Sequence, residues 1–295
     1  MSATRPSYLV TGARGMLGSD LVEALHGRDV TLLARADLDV TDRDAVLRAV
    51  RGHDVVINAA AYTAVDAAET DEEAALAVNG TAVGVLAEAC AASGAKFVTV
   101  STDYVFAGDA ATPYAEDTAH EPLNAYGRTK AEGERLALAA HPDGTYVVRT
   151  AWLYGRHGAN FPKTMLSLAA SRPTLSVVAD QVGQPTWTLD LARQIVAMLD
   201  ADAPAGVYHG TNSGETSWFE FAREVFRAAG LDAARVEPTD SSTFVRPAPR
   251  PSYSVLGHDA WHRAGIAPMR PWREALGEAV DTGVLETDDH ATSSR

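Results

Sequence analysis

The stretch YLVTGARGMLGSDL, residues 8–21, decides the fold. A strand-like apolar run leads directly into Gly12, Gly15 and Gly18, and the apolar residues after them have the spacing of a helix. Glycines at such a turn allow a tight bend, let backbone amides approach a pyrophosphate, and seat the helix close to the sheet. The spacing is a three-glycine variant of the dinucleotide fingerprint and predicts a nucleotide cofactor here, although glycine-rich turns also arise for packing alone.

The first half of the chain alternates short apolar strands with longer helical patterns. The strand candidates are YLVTG (8–12), VTLLA (30–34), VVINAA (55–60), KFVTVST (96–102) and TYVVRT (145–150). Apolar residues at three-to-four spacing predict helices over 16–26, 42–50, 71–93 and 126–140. The alternation predicts an α/β fold with a doubly wound, Rossmann-type parallel sheet that helices cover on both faces.

The second half of the chain lacks this regular alternation, and proline and glycine recur in it. We interpret it as a smaller α/β lobe joined to the first by short crossings, because no linker separates the two. The predicted division is an NAD(P)-binding Rossmann domain over 1–150, with parts of 174–205 joining it, and a substrate-binding lobe that is mainly 151–285. Residues 286–295 are predicted to form a flexible acidic tail.

Composition limits the classes of partner. Apolar residues make up 46% and charged residues 22% of the chain, without a run of the roughly 18–20 apolar residues that a membrane helix requires. The formal charge of −14 argues against a surface for nucleic acid or anionic membranes, so a small molecule is the expected partner. The start lacks the layout of a signal peptide and Cys90 is the only cysteine, so we expect a cytoplasmic protein. A homodimer and a monomer both remain open.

The end of the second strand distinguishes the two nicotinamide cofactors, because an acidic side chain there binds the ribose hydroxyls and an arginine binds a 2′-phosphate. Here Arg35 comes first, and Asp37 and Asp39 follow. That order favours NADPH without excluding NADH, although a solvated loop arginine would look the same. The third strand ends in Asn58 and three alanines, 59–61, whose small side chains would let a ligand approach the backbone.

A tyrosine and a lysine lie four residues apart in LNAYGRTKAEGE, residues 123–134. On a helix Tyr126 and Lys130 would share one face, and an ammonium near a phenol would lower the pKa of the tyrosine and make it a better proton donor. Upstream, the fourth strand ends in Thr102 and Asp103, at the edge where doubly wound sheets build their sites. The Tyr-x-x-x-Lys pattern alone occurs by chance, but with the glycine turn and this strand end it predicts a catalytic pair.

These residues resemble a known family, the extended short-chain dehydrogenase/reductases, and within it the dTDP-4-dehydrorhamnose reductases. The resemblance covers nearly the whole chain and rests on VTGARGMLGSDL (10–21), NAAAYTAVDAAE (58–69), STDYVFAGD (101–109), PLNAYGRTKAEGE (122–134), RTAWLYG (149–155), NFPKTML (160–166), DQVGQPT (180–186), GETSWFEFA (214–222) and RPSYSVL (250–256). It implies reduction of the C4 ketone of dTDP-4-dehydro-β-L-rhamnose to dTDP-L-rhamnose. The implied cofactor is NAD(P)H, for which the position of Arg35 favours NADPH with NADH possible, and the implied partner is a dTDP-sugar.

The same resemblance implies roles for individual residues. The implied catalytic residues are Thr102, Tyr126 and Lys130. We add Asp103, which could relay protons or bind a sugar hydroxyl, although an acid at a strand end can also simply cap the next turn. The implied cofactor-binding residues are Gly12, Gly15, Met16, Leu17, Arg35, Asp39, Val40, Ala59, Ala60 and Ala61, with Tyr126 and Lys130. The implied substrate-binding residues are Thr63, Val65, Asp103, Tyr104, Trp152, Asn160 and Lys163. Related sugar-nucleotide dehydratases carry a glutamate where this chain has Tyr104, and the difference favours simple reduction.

Several alternatives remain open. The same residues would serve a reductase of another dTDP-4-keto-6-deoxy sugar, and the resemblance extends to a non-catalytic NADP-binding regulatory subunit of a methionine adenosyltransferase. Trp152 could instead be a core residue, and Arg246 and Arg250 could be phosphate ligands or surface ion pairs. His258 and His262 have the i, i+4 spacing of a metal-binding pair, but no third ligand is evident, so we predict no required metal.

Overall fold

The computed structural model describes residues 5–286, so that nearly all of the predicted tail, residues 287–295, lies outside the described residues. The strands are β1 (Ser7–Thr11), β2 (Asp29–Leu33), β3 (Val55–Asn58), β4 (Lys96–Thr102), β5 (Thr145–Thr150), β6 (Leu153–Tyr154), β7 (Leu175–Val178), β8 (Val182–Gly183), β9 (Thr186–Trp187), β10 (Gly206–His209), β11 (Thr216–Ser217) and β12 (Val236–Thr239). The α-helices are α1 (Met16–Ala24), α2 (Arg43–Val50), α3 (Val65–Ala68), α4 (Glu72–Leu76), α5 (Ala82–Ser93), α6 (Ala125–Ala140), α7 (Phe161–Ala169), α8 (Thr188–Asp200), α9 (Trp218–Ala228), α10 (Asp259–Arg263) and α11 (Trp272–Asp281). A π-helical segment, Ala77–Thr81, joins α4 to α5.

Six strands form the central sheet, in the order β10-β5-β4-β3-β1-β2. Every neighbouring pair in this sheet is parallel. The carboxyl ends of the strands therefore meet at one edge, where Thr11 lies beside Asn58 and Thr102 lies beside Thr150. The predicted doubly wound parallel sheet is confirmed, and the five predicted strands are β1 to β5.

Helices cover both faces of the sheet. On one face α1, α8 and α10 contribute Leu21, Ile195 and Trp261 to a core in which these side chains are almost fully buried. On the other face α2 and α5 contribute Val46 and Leu86 to a second core. Strands buried on both faces carry apolar residues without alternation, which is why β1 and β3 read as continuous apolar runs.

The second lobe has a core of its own. Helices α7, α9 and α11 and the parallel pair β7 and β12 pack around large side chains such as Phe221, Phe226 and Trp272. Two elements from the second half of the sequence belong to the first lobe instead. Helix α8 packs on α1, and β10 pairs with β5 as an edge strand of the central sheet. Helix α8 lies within 174–205, the range of which parts are predicted to belong to the Rossmann domain. Strand β10 follows that range, and its sequence, GVYH, contains no apolar run that would mark a strand.

One segment within residues 5–286 is long and apolar enough to cross a membrane. It is Glu72–Ser93, with 22 residues and a mean hydropathy of 1.5 over an 18-residue window, and it comprises α4, the π-helical segment and α5. In the fold 56% of that window is buried, and α5 packs against α2 and α6. These contacts are those of a core helix, and they account for its apolar composition.

Candidate active site

The carboxyl ends of the central strands border a long cleft made of two adjoining cavities. The larger, about 810 Å³, lies over the glycine turn and the end of β2, and the smaller, about 520 Å³, lies over the ends of β4 and β5. Gly15 and residues 59–61 line both cavities, so the two share a wall. The predicted site residues that line the cleft are Gly12, Gly15, Met16, Leu17, Arg35, Asp39, Val40, Ala59, Ala60, Ala61, Thr63, Val65, Thr102, Asp103, Tyr104, Tyr126, Lys130 and Trp152.

The glycine turn packs closely on the loop that follows β3 and exposes the start of α1 to the cleft. Gly12 has a φ of 67°, and a Cβ there would lie 2.6 Å from the amide nitrogen of Ala60, so only glycine fits. Gly15 begins the helix without a side-chain cap. The leading amides of α1, at the positive end of the helix dipole, can therefore bind an anion.

The end of β2 presents Arg35 as an exposed side chain on the wall of the larger cavity. The neighbouring acids are engaged in local turns, since Asp37 accepts a hydrogen bond from the amide of Ala34 at 2.9 Å and Asp39 accepts two from Thr41 at 2.9 and 2.7 Å. The hydrogen bonds from Thr41, with a smaller contribution from the charge of Arg35, lower the pKa of Asp39. Arg35 is thus the side chain best placed here to bind a phosphate.

Two buried asparagines hold the loop that follows β3. Asn58 accepts a hydrogen bond from Thr11 Oγ1 at 2.7 Å and donates one to Thr99 Oγ1 at 3.5 Å, which ties β3 to both of its neighbours. Asn79, in the π-helical segment, accepts from the amide of Tyr62 at 2.9 Å and donates to the carbonyl of the same residue at 3.0 Å. Asn79 is not among the residues that the sequence predicts for the site, although a lone asparagine inside an apolar helical pattern is a usable signal.

Side chains from other segments fix the first turn of α6, which carries the tyrosine and the lysine. Asn124 caps the helix by accepting a hydrogen bond from the amide of Gly127 at 2.8 Å, and Glu69 accepts one from the amide of Ala125 at 2.7 Å. A Cβ on Gly127 would lie 2.1 Å from the carbonyl oxygen of Tyr104. The glycine therefore lets α6 pack directly against the backbone that follows β4.

Lys130 and Tyr126 line the smaller cavity together with Thr102, as the sequence predicts. Lys130 is 5% exposed, and its Nζ donates a hydrogen bond to the carbonyl oxygen of Val100 at 2.5 Å. Burial lowers the pKa of Lys130 to about 8, and the charge of Glu134 limits that decrease. Lys130 is therefore charged at neutral pH and loses its proton in mildly alkaline solution.

The pKa of Tyr126 is raised in the structure, whereas the sequence predicts that Lys130 lowers it. Burial and the charge of Asp103 raise the pKa of Tyr126, and the hydroxyl of Thr102 opposes this only in part. The ammonium of Lys130 is engaged with the backbone of β4 and does not produce the decrease that the sequence suggested. Tyr126 consequently retains its proton at neutral pH, which is the form that a proton donor needs.

Asp103 is buried beside Thr102, and its Oδ1 accepts a hydrogen bond from Thr102 Oγ1 at 2.9 Å. Burial raises the pKa of Asp103 to about 6, although the hydroxyls of Ser254 and Thr102 oppose the increase. Among the described residues, no hydrogen-bond partner reaches its Oδ2. The cavity is therefore lined by a carboxyl group that changes its charge close to neutral pH.

A buried ion pair lies one helical turn beyond Lys130. Glu134 and Arg149 are 1% and 3% exposed, and Nη2 of the arginine lies 2.7 Å from Oε2 of the glutamate. Ser101 Oγ also donates to Glu134, and His120 Nε2 lies 3.0 Å from it. The ion pair ties α6 to β4 and β5. Sequence analysis did not select Glu134, although its i, i+4 spacing from Lys130 was a usable signal.

Trp152 follows β5 and forms part of the wall of the smaller cavity. Its φ of 47° is in the left-handed region, which costs a residue other than glycine about 1–3 kcal/mol. The amide of Thr186 donates a hydrogen bond to its carbonyl oxygen at 3.2 Å, and its indole stacks on that of Trp218. The half-buried side chain is thus both packed and available to a ligand.

Asn160 and Lys163 are not among the residues that line the cavity. Asn160 caps α7 by accepting a hydrogen bond from the amide of Lys163 at 3.2 Å, and it donates one to the carbonyl of Gly155 at 2.9 Å. Lys163 Nζ donates to the carbonyl of Arg156. These bonds lie within the second lobe, and the substrate-binding roles of the two residues stay predictions.

Arg250 and Arg246 both approach Asp66, at 2.9 and 3.8 Å. The guanidinium of Arg250 also lies 5.9 Å from the ring centroid of Tyr104, a residue of the cavity wall. Its Nη1 is buried and has no hydrogen-bond partner in the part of the chain that the structure describes. Arg250 is therefore ion-paired with Asp66 behind the cavity wall, and one of its donors has no partner within residues 5–286.

Within residues 5–286 the structure contains no group of three or more His, Cys, Asp or Glu side chains that could hold a metal ion. His258 is half-buried, and its Nε2 lies 2.9 Å from Thr211 Oγ1, while His262 is exposed. Burial lowers the pKa of His258 to about 4. The two histidines therefore lie in different surroundings, one at the N-terminal cap of α10 and one exposed on that helix.

The chain is similar to known proteins over more than nine tenths of its length. A family model described as RmlD substrate binding domain matches residues 7–284. The chain is 51% identical over 283 residues to the dTDP-4-dehydrorhamnose reductase of Streptomyces griseus, which covers 93% of each chain. It is 50% identical over 276 residues to the dTDP-4-keto-6-deoxy-D-glucose reductase of Streptomyces niveus, covering 92% of this chain and 96% of that one. The solved structure of dTDP-4-dehydrorhamnose reductase from Bacillus anthracis in complex with NADP has a TM-score of 0.90 and 37% identity, covering 93% of this chain and 98% of that one. The chain therefore belongs to the RmlD substrate binding domain family.

Proposed function

We propose that this protein is an NADPH-dependent reductase that converts the C4 ketone of dTDP-4-dehydro-β-L-rhamnose to the alcohol of dTDP-L-rhamnose. One observation carries the proposal: Thr102, Tyr126 and Lys130 line one cavity, which adjoins the cleft over the glycine turn. A hydrogen-bond donor, a proton donor and a cation are thus together beside a site for a nucleotide. The relative from Streptomyces griseus that bears the name of this activity is 51% identical.

The residues of the cleft fit NADPH. Gly12 and Gly15 line the larger cavity in a tight turn, the leading amides of α1 have no side-chain cap, and Arg35 is at the end of β2. The bound cofactor would supply the hydride that reduces the carbonyl carbon. The relative from Bacillus anthracis is described as a complex with NADP, and an arginine in place of an acid at this strand end favours NADPH, with NADH as a weaker substitute.

The catalytic residues then have separate tasks. Tyr126 donates its phenolic proton to the sugar O4 as negative charge develops there, and Thr102 donates a hydrogen bond to the same oxygen. Lys130, an ammonium below about pH 8, stabilises the developing charge and can bind the nicotinamide ribose. In the free protein the single proton of the Thr102 hydroxyl is donated to Asp103 at 2.9 Å, so Thr102 turns this proton from the carboxylate to O4 when the sugar binds.

The remaining wall of the smaller cavity suits a deoxy sugar. Thr63, Val65, Tyr104 and Trp152 line it, and the apolar surfaces of the valine and the tryptophan match a methyl group. Arg250, whose guanidinium lies 5.9 Å from the ring centroid of Tyr104, provides a cation for the diphosphate. The wall thus supports a 6-deoxy sugar carried on a nucleotide.

A second candidate is the reduction of a different dTDP-4-keto-6-deoxy sugar. The relative from Streptomyces niveus, named a dTDP-4-keto-6-deoxy-D-glucose reductase, is 50% identical, almost as similar as the relative from Streptomyces griseus at 51%. The two reactions would need the same catalytic residues and would differ in the contacts of the sugar ring. A non-catalytic NADP-binding subunit would not require Thr102, Tyr126 and Lys130 in one cavity.

We further propose that the protein works in the cytoplasm on a small molecule, without a nucleic-acid or membrane partner. The formal charge of −14 and the buried, unpaired Cys90 support this environment. A monomer and a homodimer are both compatible with the fold, and light scattering during size-exclusion chromatography would distinguish them.

The test is NADPH oxidation with dTDP-4-keto-6-deoxyglucose, supplied by a 4,6-dehydratase, in the presence or absence of the 3,5-epimerase. Turnover that requires the epimerase supports reduction of the rhamnose precursor. Turnover that is equally fast without the epimerase would favour the second candidate. Tight NADPH binding with turnover of neither sugar would instead favour a binding subunit, and parallel assays with NADH would rank the cofactors.

A further inference from the structure

We propose that Trp218 and Gly183, which lie outside the cavity lining, determine the sugar specificity of the site by holding the indole of Trp152 between them. The inference rests on the proposed function and adds two positioning residues to it. Trp152 has the largest side chain of the cavity lining, so the position of its indole sets the shape of the space left for the sugar.

Trp218 holds one face of this indole. The two ring centroids are 3.6 Å apart and the ring planes differ by 10°, which is a close parallel stack. Trp218 is itself packed against Phe161 at 4.5 Å and Phe221 at 6.2 Å in the core of the second lobe. It is also the first residue of α9, whose N-terminus Ser217 caps with a hydrogen bond of 3.1 Å. The core of the second lobe therefore fixes the partner on which Trp152 rests.

Gly183 lies against the opposite face. A Cβ on this glycine would be 2.6 Å from Cε2, 2.7 Å from Cζ2 and 2.9 Å from Nε1 of Trp152. These three nearest atoms all belong to Trp152 and none to Trp218, so the glycine occupies the face that Trp218 leaves free. Any side chain at position 183 would have to displace the indole, because close-packed interiors leave no space for such an overlap.

Strand pairing brings the two partners to the same tryptophan. Gly183 in β8 lies beside Thr216 in β11, and Trp218 follows directly after β11. The backbone of Trp152 is anchored as well, since it is held at φ 47° and its carbonyl accepts a hydrogen bond from Thr186. Strain of this kind persists where the surrounding structure determines the conformation, and it is concentrated at ligand sites.

The experiment compares Trp218→Ala, Trp218→Phe and Gly183→Ala with the wild type. Phe219→Ala is the matched control, because Phe219 is also half-buried on α9 but packs with Arg223. Each variant is measured for NADPH affinity, for KM and kcat with the two dTDP-4-keto sugars, and for the exciton couplet of stacked indoles in far-ultraviolet circular dichroism.

We expect Trp218→Ala to lose the couplet and to raise the KM for the sugar about tenfold, with NADPH affinity within about twofold of the wild type. Trp218→Phe should recover most of the sugar affinity, since it retains a stacking ring. Gly183→Ala should weaken both the couplet and the preference between the two sugars, and Phe219→Ala should change neither.

Loss of the couplet with unchanged sugar KM and preference would overturn the proposal, because the indole would then have moved without consequence. An equal rise in KM for Phe219→Ala would also overturn it, since the effect would then be general to α9. If the wild type reduced neither sugar, the proposed function itself would fail, whereas active wild type with unaffected variants would refute only this inference.

Discussion

Replacing Glu134 with glutamine removes the charge from the buried ion pair behind the catalytic helix. The carboxylate accepts hydrogen bonds from Arg149 at 2.7, 3.0 and 3.1 Å and another from Ser101. Arg149 is 3% exposed, so in the variant its guanidinium would remain buried without a countercharge. Removal of one partner from such a pair costs about 3–5 kcal/mol, and we expect Glu134→Gln to lose that much free energy of unfolding at neutral pH.

The assay is urea unfolding with linear extrapolation, with Glu132→Gln as the matched control. Glu132 is on the same helix but pairs at the surface with Arg135, and an exposed pair of this kind contributes no more than about 0.5 kcal/mol. His120 and Arg149 hold the pKa of Glu134 well below its usual range despite burial, so the difference from wild type is complete at neutral pH and diminishes as the pH falls into the acid range. A loss below about 1 kcal/mol at neutral pH would refute the ion-pair account.

The same variant has a second expected effect, on the pH dependence of reduction. In the wild type, activity should fall as the pH rises through about 8, where buried Lys130 loses its proton. Glu134 is the charge that limits this decrease in pKa, so Glu134→Gln should move the fall in activity to lower pH. A pH profile identical to that of the wild type would show that Lys130 does not depend on this carboxylate.

Two further predictions test the cofactor site and the catalytic carboxyl group. Arg35→Ala is expected to raise the KM for NADPH roughly tenfold or more and to leave the KM for NADH unchanged. The reason is that only NADPH has a 2′-phosphate, to which the arginine would donate a charge-assisted hydrogen bond. Equal effects on the KM of both cofactors in steady-state assays would exclude this role of Arg35. Asp103→Asn is expected to lower turnover. It is also expected to stabilise the protein by about 1–3 kcal/mol at pH 7, because the buried carboxyl group of Asp103, with a pKa of about 6, is ionised at that pH and its ionisation costs free energy in the folded state. That gain should vanish near pH 4, where the carboxyl group of Asp103 is protonated in the folded wild type. Urea unfolding at pH 7 and pH 4 measures the gain, and a variant less stable than the wild type at pH 7 would contradict the prediction.

The central sheet could be predicted because its signals are local. Strands β1 to β5 are apolar runs between helical patterns, and the glycine turn after β1 marks the cofactor edge without knowledge of the rest of the chain. The face shared by Tyr126 and Lys130 likewise follows from helical geometry alone. Strand β10 gave no such signal, because its sequence, GVYH, begins with glycine and ends with histidine and so contains no apolar run like the VVI of β3.

The features of the site that the sequence does not predict depend on contacts between distant segments of the chain. The pairing of Glu134 with Arg149 requires the register of α6 against β5, and the stack of Trp152 on Trp218 requires the second lobe to close on the first. The direction of the Tyr126 pKa was also beyond the sequence, since helical spacing places Lys130 nearby but does not indicate how deeply the phenol is buried beside Asp103.

The most direct measurement of the central claim, that Tyr126 protonates the sugar oxygen during reduction by NADPH, is the single-turnover rate of Tyr126→Phe with the epimerised dTDP-4-keto sugar. We expect a rate lower by about 10² to 10⁴ with NADPH affinity unchanged, because the phenylalanine retains the ring and lacks only the proton donor. A rate within threefold of the wild type, at about the same NADPH affinity, would contradict the account and assign the proton to another group.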